Sequence, residues 1–169
     1  RRSEERFRLA FENAPVGIAL ISPEGNRFKI NQALADFLGY SIEELTNTAM
    51  AETNSDAEAL EESMRLRKKV LDGEKSTYTN TRSYRHKLGH TVYGEVSGAL
   101  LRDENGEPEY FIAHTVDTTE RKMSEQALQN AHDNLEMRIK ELQSSNQARD
   151  RLSQAIEVLP VGVALFDSD

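Results

Sequence analysis

Hydrophobic residues follow a helical spacing in the first part of the chain and an alternating one after Gly73. The first part predicts an amphipathic helix at residues 3–13 and two short strands at 16–21 and 27–30. It also predicts three further helices, at residues 32–38, just after Ser41, and at 55–72. The alternating part predicts three longer strands, at residues 76–86, 91–102 and 109–118. Two strands before the helices and three after them favour a five-stranded antiparallel sheet with helices on one face, which is an α+β fold.

Polar residues in front of three of these helices predict where each one begins. Asn31 can cap the helix that follows it, and Ser41 with Glu44 has the spacing of a capping box. Ser55 is the predicted cap of the longest of the three, which ends at Asp72. Helical spacing in that segment places hydrophobic side chains toward the core, at Leu60, Met64, Leu66, Val70 and Leu71.

A continuous helix is predicted over residues 120–157, because the residues that interrupt helices are missing there. No glycine lies between Gly106 and Gly162, and no proline lies between Pro108 and Pro160. At about 1.5 Å per residue, such a helix would be roughly 55 Å long. Its acidic and basic residues are nearly balanced, which indicates an exposed rather than a core helix.

Hydrophobic residues in this helix recur every seven positions, at Leu128, Leu135 and Leu142. With these leucines at heptad position d, Ile139 and Asn146 fall at position a, a pattern typical of a parallel two-stranded coiled coil. The register is imperfect, since Glu125 and His132 also fall at position a and Arg149 falls at d. The alternative is a single surface helix that packs on its own domain.

An internal repeat indicates that one structural unit begins twice. Residues 10–20 read AFENAPVGIAL, residues 155–165 read AIEVLPVGVAL, and seven of the eleven positions are identical. We therefore expect a fragment of a longer protein. Its expected parts are an N-terminal helix, a domain, an exposed helix and the first strand of a second domain, at residues 1–14, 15–119, 120–157 and 158–169.

Charge and composition argue against several classes of function. The chain has 29 acidic and 21 basic residues and a net charge of −8, whereas nucleic-acid binding needs a basic surface. No apolar run approaches the ~18 residues of a membrane helix, and no leader pattern is visible, so we expect a cytoplasmic segment without membrane contact. The sequence has no nucleophile–base pair, phosphate-binding loop or metal-ligand cluster, so we expect no catalytic residue, no metal and no enzymatic activity in this segment.

Several short motifs occur in a characteristic order. They are Asn13-Ala14-Pro15-Val16-Gly17, Asn31 with Phe37-Leu38-Gly39-Tyr40-Ser41, Gly89 in a hairpin, Asp103-x-x-Gly106-x-Pro108, and Val116-Asp117-Thr118-Thr119-Glu120-Arg121-Lys122. Together they resemble a PAS domain, the S-box sensory module of bacterial signalling proteins. The last motif is similar to the exit signature that joins PAS domains to signalling helices, although Thr118 stands where the family has an apolar residue. The resemblance covers about residues 3–122, and the start of a second copy from residue 152.

The resemblance implies a ligand pocket between sheet and helices. Its expected inward-facing residues are Phe37, Arg82, Tyr84, Val96, Leu100, Phe111 and Thr115. Arg82 can pair there with an anionic ligand such as a carboxylate; the alternative is an arginine at the rim or paired with a helix acid.

The resemblance also implies that Asp117, Thr119 and Arg121 transmit the signal into the following helix. The residues themselves allow two arrangements. Asp117 and Arg121 can form an i,i+4 ion pair, or Asp117 or Thr119 can cap the helix while Arg121 stays solvated.

Missing residues limit the cofactors. Without cysteine the flavin–cysteinyl adduct of LOV domains is excluded, and the lack of histidine in residues 55–72 argues against a histidine-ligated haem. The chain has four histidines, His86, His90, His114 and His132. Their spacing is not typical of a metal site. The ligand stays open between a small organic acid, a lipid and none.

Given the resemblance, we expect the sensory and dimerisation module of a multidomain bacterial signalling protein. The expected output is a sensor histidine kinase, with a diguanylate cyclase or phosphodiesterase as the alternative. The expected partner is a second copy of the chain, joined through a parallel coiled coil. The competing hypothesis is a structural spacer that binds no ligand and only holds two output domains together.

Overall fold

A five-stranded antiparallel sheet organises the first part of the protein. The computed structural model describes residues 2–158 and divides into two units after Lys122. The helices are α1 (Arg2–Glu12), α2 (Gln32–Leu38), α3 (Ile42–Asn47), α4 (Ala57–Leu71) and α5 (Thr119–Val158). The strands are β1 (Gly17–Ile21), β2 (Arg27–Ile30), β3 (Thr77–Arg85), β4 (Thr91–Arg102) and β5 (Pro108–Asp117). The α+β arrangement predicted from hydrophobic spacing is confirmed.

The sheet order joins the two ends of the domain. The strands lie in the order β2-β1-β5-β4-β3, so the N-terminal pair meets the C-terminal three where β1 pairs with β5. In that pair Gly17 lies opposite Thr115, and Ile21 lies opposite Phe111. All residues of β1, an inner strand of the sheet, are buried, which explains why its sequence is continuously apolar rather than alternating.

The main core lies between one face of the sheet and helices α2–α4. Its buried hydrophobic residues are Ala19, Ile21, Ile30, Leu34, Ala35, Leu38, Leu45, Val70, Tyr78, Tyr84, Val92, Val96, Phe111 and Ala113. Alternation along β3 and β4 sends every second side chain to this face. The same alternation therefore decides which polar residues of these strands are buried.

Helix α1 covers the opposite face of the sheet, a position that the sequence pattern left undetermined. Phe11 packs there with Ile18 and Leu20 of β1, and Tyr110 and Ile112 of β5 lie at the margin. This second cluster accounts for the amphipathic spacing of α1 and for the burial of β1 on both faces.

Asn31 connects the elements that meet at the start of the domain. Its side-chain oxygen accepts hydrogen bonds from the backbone N–H groups of Ile18 (2.8 Å) and Leu34 (3.1 Å). Its amide group donates to the backbone carbonyls of Phe11 (3.0 Å) and Val16 (2.9 Å). The residue is only 1% exposed, so this one buried amide uses both donors and both acceptor positions. The predicted helix cap is confirmed, and three further bonds fix α1 and β1 to it.

Two details predicted for α4 are wrong. Its N-cap is Asp56, whose carboxylate accepts from the Ala59 N–H at 3.1 Å, while Ser55 donates its N–H to the Ser83 carbonyl on the edge of β3. Met64 is 48% exposed and does not face the core. Val70 is buried as predicted, and the other two buried positions of α4 are Ser63 and Arg67. A search for hydrophobic spacing misses this face because two of its three residues are polar.

Helix α5 is continuous over 40 residues, in agreement with the helix predicted at 120–157, and none of its residues is buried. The strand predicted at 158–169 lies outside the described residues, apart from Val158 at the end of α5. Within residues 2–158, no helix is both long enough and apolar enough to cross a membrane.

We expect Asn31→Ala to lower the free energy of unfolding by about 3 kcal/mol or more, because it removes a helix cap and leaves buried backbone groups without partners. Ser41→Ala is the matched control. The Ser41 hydroxyl caps α3 through the Glu44 N–H on the surface, so its loss should lower the free energy by only about 1 kcal/mol. Urea denaturation followed by circular dichroism measures both values. Equal losses would show that the bonds of Asn31 outside α2 contribute little.

Candidate functional site

A small cavity lies in the main core, between the sheet and the helices. Its volume is about 30 Å³, which is room for one or two water-sized groups. Part of its wall is hydrophobic, with Leu34, Leu38 and Val96 among its residues. The polar part of the wall consists of Arg27, Thr53, Ser63, Arg67, Arg82 and Thr115, together with Tyr78 and Tyr84. The cavity is therefore a polar site inside a hydrophobic core.

Arg27, Arg67 and Arg82 reach this cavity from β2, α4 and β3, and they are 8%, 8% and 4% exposed. Arg27 has two hydrogen bonds, which its Nη2 donates to the Thr48 carbonyl (3.2 Å) and to the Thr53 hydroxyl (3.3 Å). Its Nε has no hydrogen-bond partner in the described part of the chain. The guanidinium of Arg27 is thus fixed at one end and unsatisfied at the other.

The other two guanidinium groups are held more weakly. Nη1 of Arg67 lies 3.9 Å from the sulfur of Met50, a weak acceptor. Arg82 stacks on the Tyr84 ring, with its Cζ 5.0 Å from the ring centroid, and its Nε and Nη2 have no hydrogen-bond partner. Both side chains line the cavity, and Arg82 contributes two buried N–H groups without a partner among residues 2–158.

No carboxylate balances these charges. Within residues 2–158, no aspartate or glutamate is buried, and none forms a salt bridge with Arg27, Arg67 or Arg82. Burial lowers the pKa of Arg27 and of Arg67, and the nearby guanidinium of Arg82 lowers the pKa of both further. Because arginine keeps its proton in proteins, the cavity has three mutually repelling positive charges.

The tyrosines of the cavity wall are hydrogen-bond donors. Burial raises the pKa of Tyr78 and of Tyr84 above the ordinary value for a phenol. Both phenols therefore keep their protons at neutral pH. The wall combines cationic groups with neutral hydroxyl groups, and it offers no anionic acceptor.

Two glycines of β4 make space for the large side chains of β3. Gly98 lies opposite Tyr78, and Gly94 lies opposite Arg82. A Cβ atom at position 98 would lie 2.4 Å from the Tyr78 ring, closer than any side chain tolerates. A Cβ at position 94 would lie 2.8 Å from Cγ2 of Thr115. Gly98 thus leaves room for the Tyr78 ring, and Gly94 leaves room for Thr115 and Tyr84, all three of which line the cavity.

Four of the predicted pocket residues line this cavity, namely Arg82, Tyr84, Val96 and Thr115. The other three lie elsewhere in or beside the core. Phe37 packs edge-on against Tyr84, Phe111 packs against Tyr78, and Leu100 is a half-buried residue at the margin of the core. The sequence reasoning missed Arg27, Arg67 and Ser63. The spacing of Ser63, Arg67 and Val70 on one face of α4 could have indicated the latter two, had polar residues been allowed on an inward face.

The exit segment is attached to β4 at Tyr93, a residue that the sequence reasoning also missed. The Thr118 N–H donates to the Tyr93 carbonyl at 2.8 Å, and the Tyr93 N–H donates to the Thr119 hydroxyl at 3.0 Å. The Asp117 carboxylate accepts from the Thr119 N–H at 2.8 Å, as a capping residue does. Arg121 is exposed in the first turn of α5. Thr119 therefore links the sheet to the helix directly.

The residues predicted for the dimer are all exposed in this single chain. Leu128, Leu135, Ile139 and Leu142 are 73%, 59%, 53% and 64% exposed. Asn146 is exposed as well. A helix with hydrophobic residues at heptad spacing and no buried residue has an unpaired apolar stripe.

The histidines lie away from the cavity. The rings of His86 and His90 stack on each other at the β3–β4 turn, with their centroids 4.2 Å apart. His114 and His132 are exposed. Among residues 2–158, no group of three or more histidine and acidic residues is arranged to hold a metal ion.

Comparison with known proteins identifies the fold family. The family described as "PAS fold" matches residues 11–123. The PAS domain of a protein from Colwellia psychrerythraea has a TM-score of 0.62 at 18% identity, over 71% of this chain and 99% of that one. At this identity the structural likeness supports the fold alone.

Two curated relatives are signalling proteins. The probable diguanylate cyclase DgcE of Escherichia coli K12 is 36% identical over 127 residues, and the sensor histidine kinase TmoS of Ectopseudomonas mendocina is 27% identical over 126. Each match covers 75% of this chain but only 11% and 13% of those proteins. The family match covers the same residues as the sheet and as the motifs that resemble the family. The chain therefore belongs to the PAS fold family of sensory domains.

Proposed function

We propose that this segment is a sensory and dimerisation module. A stimulus in the core of the PAS domain changes the end of β5, the exit segment moves with it, and α5 passes the change on through a parallel coiled coil of two chains. The observation that carries the proposal is the attachment of the first residue of α5, Thr119, to the Tyr93 backbone in β4. In this proposal the segment itself catalyses no reaction.

The route from cavity to helix is short and covalent. Thr115 of β5 lines the cavity, and Asp117, two residues further on, is paired with Gly94 of β4. The Asp117 carboxylate then binds the Thr119 N–H at the start of α5. Because β5 is hydrogen-bonded along both edges, a displacement at Thr115 is transmitted along the strand rather than absorbed by a loop.

The second half of the proposal concerns α5. Its exposed stripe of leucine and isoleucine needs a partner surface, and a second copy of the same stripe satisfies this need. Asn146 at position a favours two parallel strands in one register, at some loss of stability, and the polar Glu125 and His132 at two other a positions add to that loss. Paired helices of this kind have discrete alternative packings, which suits the transmission of a switch.

The output domain is inferred from the relatives. One is named a sensor histidine kinase and the other a probable diguanylate cyclase, so an output of either kind is compatible with this segment. We retain the histidine kinase as the first expectation and the cyclase or phosphodiesterase as the alternative. The cytoplasmic location remains a prediction. The ligand-free spacer differs from the sensor in one respect, since in it no ligand changes the state of the cavity.

We expect Thr119→Val to accelerate hydrogen exchange at the Tyr93 N–H by about fivefold, because a hydrogen bond worth about 1 kcal/mol is lost. Asp117→Ala should likewise loosen the first turn of α5. Both variants should change the output of the full-length protein while the domain stays folded, with an unfolding midpoint lowered by only a few degrees.

Thr118→Val is the matched control, because only the backbone of Thr118 bonds to Tyr93 and that bond is retained. It should leave both exchange and output close to wild type. An unchanged output in Thr119→Val and Asp117→Ala, despite faster exchange, would contradict the transmission role of this segment.

We expect the chain to sediment as a dimer at tens of micromolar, and Leu135→Lys to sediment as a monomer, because a buried lysine in the seam is strongly unfavourable. Met137→Lys is the matched control. Met137 is 58% exposed and lies two positions after a d residue, outside the seam, so the dimer should persist. A monomeric wild type, or equal effects of the two lysines, would contradict the coiled coil.

A further inference from the structure

The three cavity arginines place positive charge inside the core without a counter-ion among residues 2–158. Arg27, Arg67 and Arg82 are each more than nine-tenths buried, and Nε of Arg27 with Nε and Nη2 of Arg82 have no hydrogen-bond partner. Taking an unpaired charge out of water is strongly unfavourable, and three like charges around one cavity add mutual repulsion. A structural role alone would be served better by hydrophobic side chains of similar volume.

We propose that the cavity is a binding site for a compact oxyanion, of the carboxylate or phosphate class, held by Arg27, Arg67 and Arg82. Guanidinium groups bind such oxygens through two parallel N–H donors, and these bonds are the strong, charge-assisted kind. The buried phenol of Tyr84 and the hydroxyl of Thr115, which are hydrogen-bonded to each other, lie in the same wall. No buried carboxylate within residues 2–158 would repel the anion.

The size of the cavity limits the ligand. About 30 Å³ is the space of one or two water-sized groups, so the cavity takes the oxygens of a single carboxylate or phosphate group, and it admits a whole anion only if its wall moves outward. Met50 forms part of the wall beside Arg67, and its unbranched side chain can adapt to a somewhat larger group. Large aromatic or dinucleotide ligands do not fit this space.

This inference deepens the proposed function. Anion binding itself does not depend on that function, but its effect on signalling does. Thr115 lines the cavity and lies two residues before Asp117, so a bound anion touches the strand that leads into α5. Anion binding and dimerisation are measured separately. A chain that binds the anion but stays monomeric would overturn the coiled coil alone, and a dimer with neither a retained anion nor an oxyanion-specific shift would overturn the anion site alone.

The test uses the 169-residue chain in an oxyanion-free buffer. Sodium phosphate and sodium malonate are the probes, sodium chloride at equal ionic strength is the salt control, and malonamide is the neutral isostere of malonate. We expect the unfolding midpoint to rise by several degrees and to saturate at millimolar phosphate or malonate, because a ligand that binds only the folded state stabilises it. The more effective of the two probes shows whether the site prefers a phosphate or a carboxylate.

Arg82→Met separates binding from structure. We expect it to reduce the affinity for the effective anion at least tenfold while its midpoint in chloride equals or exceeds that of wild type, since an unpaired buried charge has been removed. Arg85→Met is the matched control, because Arg85 lies on the same strand but is exposed and should leave the anion response intact. Arg67→Met is the second variant and should act as Arg82→Met does, should that variant fail to fold.

Ion chromatography of the acid-denatured wild type detects an anion retained through purification. About one equivalent per chain supports the proposal even if added probes cause no shift. Equal stabilisation by chloride and by the oxyanions would mean that salt only screens the repulsion between the arginines, and this result would overturn the proposed anion site. So would the absence of both a retained anion and an oxyanion-specific shift, or an unimpaired anion response in Arg82→Met and Arg67→Met.

Discussion

The buried amide of Asn31 is the interaction on which the rest of the domain depends. One side chain holds the end of α1, the entry to β1 and the first turn of α2. These elements belong to different layers, since α1 covers one face of the sheet and α2 the other. Because the amide is fully satisfied, none of these elements can shift without leaving a buried polar group unpaired.

The arginine cavity shows the opposite condition in the same core. Where Asn31 has a partner for every polar atom, the guanidinium groups of Arg67 and Arg82 have few partners and no counter-ion among residues 2–158. A well-packed domain can maintain such a site because the sheet and its fixed helices hold it in place. Local rules of good packing are broken at functional sites more often than elsewhere, and this cavity is the place in the core where they are broken most clearly.

The exit from the domain depends on a third kind of contact. At Thr119 the chain changes from strand to helix, and the hydroxyl of this residue continues the bonding of β4 beyond the last strand pair. The helix therefore begins as an extension of the sheet. An ion pair between Asp117 and Arg121 is not needed to explain this junction, since the Asp117 carboxylate binds the backbone of Thr119.

Much of the fold could be predicted because its signals are local. Period-two and helical spacing, the caps at Asn31 and Ser41, and the lack of glycine and proline in α5 each depend on residues close together in the chain. The resemblance to the PAS family placed Arg82, Tyr84, Val96 and Thr115 on the inner face of their strands. Local signals could not indicate that Arg27 and Arg67 reach the same cavity, because these residues come from separate elements. The tertiary structure alone brought the three charges together, since burial and charge balance depend on which distant side chains become neighbours.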